Sequence, residues 1–311
     1  MDRKITAGII VAAAVAAVAL GIVAISGNSQ NTGTAVSQEA GKVKVIASFY
    51  PLYDFARNVG GERADVQSLI PIGVEPHDWE PTPGDINRVR SADLFIMNGG
   101  GFEAPAIRKM ESKFIVETSK SLELLPAQDD ENDLGTDPHI WLDPVLVKKQ
   151  VESIRDGLIQ VDPANADYYR QNTVSYISEL DSLDAFIRSE LSGCEKTDFI
   201  AFHNAFTYFA KRYGLTQHSV QGSSPQGDVL PQRISEIKQL ATELGIDVIY
   251  SEDLVDPRLA NVIASEIPGG RVLVLSPIEG LDEEEQAKGF GYVEKMRQNV
   301  ENLKVGLKCA Q

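Results

Sequence analysis

Residues 162–193 read DPANADYYRQNTVSYISELDSLDAFIRSELSG, and after Pro163 neither Gly nor Pro recurs until Gly193. The stretch predicts a single helix with Asp162 as N-cap and Pro163 at its first position. Thirty-one residues as helix would reach roughly 46 Å. Tyr169, Tyr176, Leu180, Leu183, Ile187 and Leu191 recur at helical spacing and make one apolar stripe. The stripe suits a coiled-coil dimer or a helix crossing two lobes of one chain. Its place between two strand-rich blocks favours the second.

In the block before it, short apolar runs alternate with helical patterns: KVIASF, a helix from about Pro51, VQSLIP, a helix from about Pro83, ADLFIMN, a helix across Ala104–Glu111, and FIVE. After Cys194 come DFIAFH, HSVQG, a helix over Pro231–Leu244, DVIYSE, a helix from about Pro257, RVLVLS and a last helix from about Gly289 to Lys308. Such alternation makes parallel sheets. The expected fold class is α/β, with two lobes (43–161 and 194–311), each a parallel-type sheet flanked by helices, joined by one long rigid interdomain helix (162–193). That connector leaves little hinge motion, so ligand release would depend on local loops.

Arg3 and Lys4 precede an uncharged run of 22 residues, Ile5–Ser26, which as helix spans roughly 33 Å and matches a bilayer core. With no clear short apolar region and cleavage site, an uncleaved signal anchor over residues 1–26 is expected ahead of a removed signal peptide. No cysteine follows closely enough to carry lipid. Residues 27–42 are small and polar and read as a flexible linker. The protein is therefore expected on the extracytoplasmic face of the membrane, tethered by its N-terminal helix.

There the two cysteines, Cys194 and Cys309, can pair across 115 residues, since the setting is oxidising. A net charge of −16 without a Lys/Arg cluster argues against nucleic acid. Gly99–Gly101 lacks both the dinucleotide spacing and the P-loop Lys, and reads as a tight turn.

Three of the four histidines, His77 (IPIGVEPHDWEP), His139 (TDPHIWLDP) and His203 (FIAFHNAF), sit in similar apolar-flanked loops. Imidazole is a favoured zinc ligand, and three supply most of a four-coordinate sphere. The fourth, His218, is read as structural.

These segments, with ASFYPLYDFARNVGG, PIGVEPHDWEPTPGDI, NGGGFE, PHIWLDP, DPANADYY, FHNAFTYFAKRYGL, IYSEDLVDP and YVEKMRQNVENL, resemble the cluster A-I metal-binding (solute-binding) proteins of zinc and manganese importers of the ATP-binding-cassette type. The likeness runs from Val43 to Leu307. It implies a receptor, not an enzyme, that captures one divalent ion between the lobes and delivers it, as a monomer, to the membrane permease subunits of an importer. The family's first three ligand positions fall on His77, His139 and His203. A histidine at 203, where manganese-type members usually carry a carboxylate, points to Zn²⁺ over Mn²⁺. At the fourth position many members have an aspartate, and here VLVLSPIEGL places Ser276. Glu279 or a water is expected to close the site, ahead of Glu252, which is read as an acceptor behind a ligand or a helix-start carboxylate. Zinc-type members often carry a histidine-rich loop, whereas PAQDDENDLGTD is acidic and reads as solvated. Two other readings compete: a zinc enzyme whose metal is held by three histidines and a water, with Glu252 or Glu279 as base, and a surface metal-storage or adhesion protein.

Overall fold

The computed structural model describes residues 41–127, 135–222 and 229–310. The expected anchor at 1–26, most of the linker and the acidic residues 129–133 lie outside them. Among the described residues no helix is long and apolar enough to cross a membrane.

The first lobe runs β1 (Val43–Ala47), α1 (Tyr50–Gly60), β2 (Ala64–Ser68), α2 (Pro83–Ser91), β3 (Leu94–Met97), α3 (Pro105–Arg108) and β4 (Ile115–Glu117). Then come α4 (Pro144–Val161) and α5 (Ala166–Glu190). The second lobe runs β5 (Asp198–Ala201), α6 (Thr207–Tyr213), β6 (Thr216–Ser219), α7 (Pro231–Leu244), β7 (Val248–Ser251), α8 (Arg258–Ser265), β8 (Arg271–Val274), α9 (Glu283–Lys288) and α10 (Tyr292–Leu307). The two sheets are wholly parallel and share one pattern, β2-β1-β3-β4 and β6-β5-β7-β8. Their central strands are apolar on both faces, as in Leu94–Met97 and Val248–Ser251, buried throughout, because helices cover both sides.

α5 differs from its expected form. A 3₁₀ turn over Pro163–Asn165 precedes it, and the α-helix spans 25 residues from Ala166. Asp162 does not cap it: its Oδ2 accepts from Asn165 Nδ2 and Tyr169 Oη, 2.7 Å each. With its acceptor committed sideways, the chain enters the helix one turn late. The expected stripe is nonetheless buried at Tyr169, Tyr176, Leu180, Leu183 and Ile187, joined by Thr173, so it is spent inside the chain and not on a coiled coil. α5 packs on α1, α4 and α10. Tyr176 Oη donates to Asp54 on α1 at 3.2 Å, and Lys304 of α10 pairs with Glu190. One apolar core runs through both lobes, including Val45, Trp141, Leu180, Phe199 and Tyr292.

Cys194 and Cys309 form the disulfide, tying the segment after α5 to the end of α10. Replacing both with serine should lower the unfolding free energy by about 2–5 kcal/mol, read from denaturant unfolding without metal; an unchanged midpoint would contradict it.

Candidate metal centre

All four candidate residues lie in segments that follow strands, and open parallel sheets collect ligands beyond the carboxyl ends of their strands. His77 sits in a 3₁₀ turn, Pro76–Asp78, reached from β2; Glu75 Oε1 accepts its backbone N–H at 3.2 Å. His139 lies between β4 and the turn Ile140–Leu142 that opens α4. His203 follows β5, and Glu279 follows β8.

The structure brings His77, His139, His203 and Glu279 together, one ligand atom from each lying within 4.8 Å of the rest. His139 and His203 meet Nε2 to Nε2 at 3.3 Å. Glu279 Oε1 lies 3.5 Å from His77 Nε2, 3.6 Å from His139 Nε2 and 3.9 Å from His203 Nε2. A tetrahedron with bonds of about 2.0–2.1 Å has edges of about 3.4 Å, so these spacings are near those a zinc ion would draw together. His77 Nε2 and both Glu279 oxygens are buried without a hydrogen-bond partner. Unpaired buried polar atoms are costly, and a cation at the centre would satisfy His77 Nε2 and Glu279 Oε1, the oxygen that faces it.

Two imidazoles are aimed from behind by carboxylates. Glu252 Oε1 accepts from His203 Nδ1 at 2.7 Å and from the His203 backbone N–H at 3.1 Å. Asp137 Oδ1 accepts from His139 Nδ1 at 2.8 Å and from its backbone N–H at 3.0 Å. A proton on each Nδ1 leaves the Nε2 lone pair facing inward, the tautomer a metal needs. Burial alone would push the His203 pKa down, but the Glu252, Glu279 and Glu75 carboxylates raise it to about 9. Burial would raise Glu279, but the three histidines hold it well below the usual carboxylate range. Burial and then the Glu279 and Glu252 charges push Glu75 upward.

Aromatic rings wall the cluster: Phe102 edge-on to His77 at 5.5 Å, and Trp141 at 5.0 Å from both His139 and Phe102. Gly99–Gly101, all at positive φ, form the tight turn expected of them and deliver Phe102; Glu103 behind them accepts the Asn98 and Gly99 N–H groups. Trp141 is fully buried and touches His139, while Trp79 is only partly buried and packs against both the core that holds Trp141 and the smaller one that holds Phe95. Zinc should therefore change intrinsic fluorescence through Trp141. The change should persist in Trp79→Phe, and its loss there would contradict this placement.

Of the two carboxylates weighed for the fourth position, Glu279 faces the imidazoles. Glu252 does not join the ligand atoms and stands behind His203. Ser276 is turned away, its Oγ donating to Asp253 Oδ2 at 2.6 Å. Asp137 was readable only as part of the acidic segment, although a carboxylate two residues before a ligand histidine is a legible signal. His218 pairs with Asp198 at 2.8 Å, outside the cluster.

The chain matches the family model described as zinc-uptake complex component A, periplasmic, over residues 45–306. It is 38% identical over 301 residues to the high-affinity zinc uptake system protein ZnuA of Bacillus subtilis, covering 92% of this chain and 94% of that protein. It is 34% identical over 282 residues to the zinc-binding lipoprotein AdcA of Streptococcus pneumoniae, covering 86% of this chain but 56% of AdcA, so it spans about half the length of that relative. Among solved structures, the Zn(II)-bound ZnuA-like domain of S. pneumoniae AdcA superposes with a TM-score of 0.75 at 33% identity, covering 86% of this chain and 99% of that one. The laminin binding protein Lmb of Streptococcus agalactiae, described as having adhesin and metal transporting activity, gives 0.78 at 32% identity with the same coverage.

Proposed function

Because the chain belongs to the family of periplasmic zinc-uptake component A proteins, we propose that it binds one Zn²⁺ through His77, His139, His203 and Glu279. It is an extracytoplasmic zinc receptor for an ATP-binding-cassette importer, not an enzyme. The observation that carries the ligand set is the grouping of four buried donor atoms within 4.8 Å of one another, two of whose imidazoles are pre-aimed by carboxylates. A hydrolytic zinc keeps one corner open for water, and here Glu279 stands in that corner. Three nitrogens to one oxygen favour zinc over manganese, which does better with oxygen ligands. His77 and His139 come from the first lobe and His203 and Glu279 from the second, so the ion would bridge them. The finer parts of the reading are a monomer, tethered by residues 1–26, that docks on permease subunits and releases zinc through movement of the loop carrying His77 while α5 stays fixed.

The test is calorimetric titration of Zn²⁺ and Mn²⁺ in parallel into the metal-stripped protein. One tight zinc site is expected, with manganese about 100-fold weaker or more. Tighter binding of manganese, or no tight site for either ion, would overturn the reading.

A further inference from the structure

Glu279 is delivered by Leu275–Leu281, a segment buried along its whole length. Its centre holds an unusual backbone: Ile278, fully buried and β-branched, has φ +58°. The left-handed region is a genuine outlier for such a residue and persists only where surroundings enforce it. Ser276 Oγ accepts the Ile278 N–H at 3.0 Å and donates to Asp253 Oδ2 at 2.6 Å. The same carboxylate oxygen takes Lys295 Nζ at 2.7 Å, a lysine 1% exposed that also pairs with Glu285. Asn299 of α10 secures both backbone groups of Ser276, accepting its N–H at 2.8 Å and donating to its carbonyl at 2.7 Å. From the other lobe, Trp141 Nε1 donates to the Pro277 carbonyl at 2.7 Å.

Of these groups only Trp141 packs on an imidazole, that of His139, and together they surround Ile278, the residue just before Glu279. We propose that Ser276, backed by Asp253 and Lys295, is a positioning residue for zinc: its hydroxyl holds Ile278 left-handed and thereby keeps the Glu279 carboxylate at the three histidines. The serine is thus used to aim a carboxylate three residues on. The inference rests on Glu279 being a ligand. Without the hydroxyl the Ile278 N–H loses its acceptor, the strained backbone relaxes, and the carboxylate leaves its place.

A double-mutant cycle on the full chain tests this, with zinc affinity read by chelator competition. Ser276→Ala should weaken zinc binding about 10- to 100-fold, the usual range for groups that orient a ligand. In the Glu279→Ala background the same change should cost less than about twofold, because there is nothing left to aim. Saturating Co²⁺ supplies a second readout: the visible bands of Ser276→Ala should lose the intensity of a four-coordinate site and approach those of Glu279→Ala. Asp253→Asn keeps the shape of the network while weakening its hold on the hydroxyl, and its loss should depend on Glu279 in the same way, so the cycle survives should Ser276→Ala fail to fold. Equal losses in both backgrounds, or no loss in either, would overturn the positioning role while leaving Glu279 as a ligand. Unchanged affinity in Glu279→Ala alone would overturn the ligand set itself, and this inference with it.

Discussion

His203→Ala should abolish tight zinc binding, with a loss of more than about 100-fold, beyond the usual cost of disturbing a group behind a ligand. The imidazole meets His139 at 3.3 Å and lies within 3.9 Å of Glu279, so its removal takes one corner from the site and leaves Glu252 without its ring partner. Thermal unfolding should report the same event. An ion that binds only the folded chain stabilises it by about 4 kcal/mol at a thousandfold excess over Kd, on the order of 10 °C for a domain of this size. The parent protein should show that rise with zinc and His203→Ala should not. His218→Ala is the matched control, since His218 pairs with Asp198 away from the cluster, and it should keep the full response. A retained zinc response in His203→Ala would remove this residue from the ligand set.

The second large effect is on pH. In the metal-free protein His203 carries its proton through neutrality, because the surrounding carboxylates raise its pKa to about 9 against the pull of burial. Zinc needs the lone pair, so binding must expel that proton. Affinity should therefore rise about tenfold per pH unit between about pH 6.5 and 8.5 and flatten above 9. This places the dependence higher than the value near 6.5 of an ordinary imidazole would. Calorimetry in buffers of different ionisation enthalpy should count about one proton released per zinc at pH 7. A constant affinity from pH 6.5 to 8.5 would contradict the assignment. The sign reverses for the stability of the metal-free fold. The folded pKa exceeds the unfolded one, so the charged His203 and its carboxylates contribute stability that is fully present below about pH 6.5 and is lost as pH rises through about 9.

Much of the architecture was legible because its punctuation is local. Pro231 and Gly245 bracket α7 at the bounds expected for it, and the eight apolar runs overlap the eight strands among the described residues, although VQSLIP and HSVQG each start two residues after the strand they mark. No helix was expected over α4, although Asp143 caps it and Pro144 opens it. The start of α5 was misplaced since a free side chain at Asp162 is a good cap, and only the fold shows that Tyr169 and Asn165 occupy it. At the site, the three histidines announce themselves by residue type and context. Glu279 was expected ahead of Glu252, but nothing local separated it from a water, since the direction of its side chain is not written in the loop. That direction depends on a left-handed isoleucine, a conformation no local signal predicts for a β-branched residue, and on Asp253, Lys295 and Asn299 reaching the loop from distant elements.

The most direct test of the zinc site is X-ray absorption at the zinc edge of the protein loaded with one equivalent of metal. The ligand set predicts a first shell of three nitrogens and one oxygen at about 2.0–2.1 Å, with outer-shell scattering from three imidazoles. In Glu279→Gln the same three histidines should remain, with a longer or water-derived oxygen. A spectrum with fewer than three imidazoles, or with a six-oxygen shell, would contradict the site formed by His77, His139, His203 and Glu279.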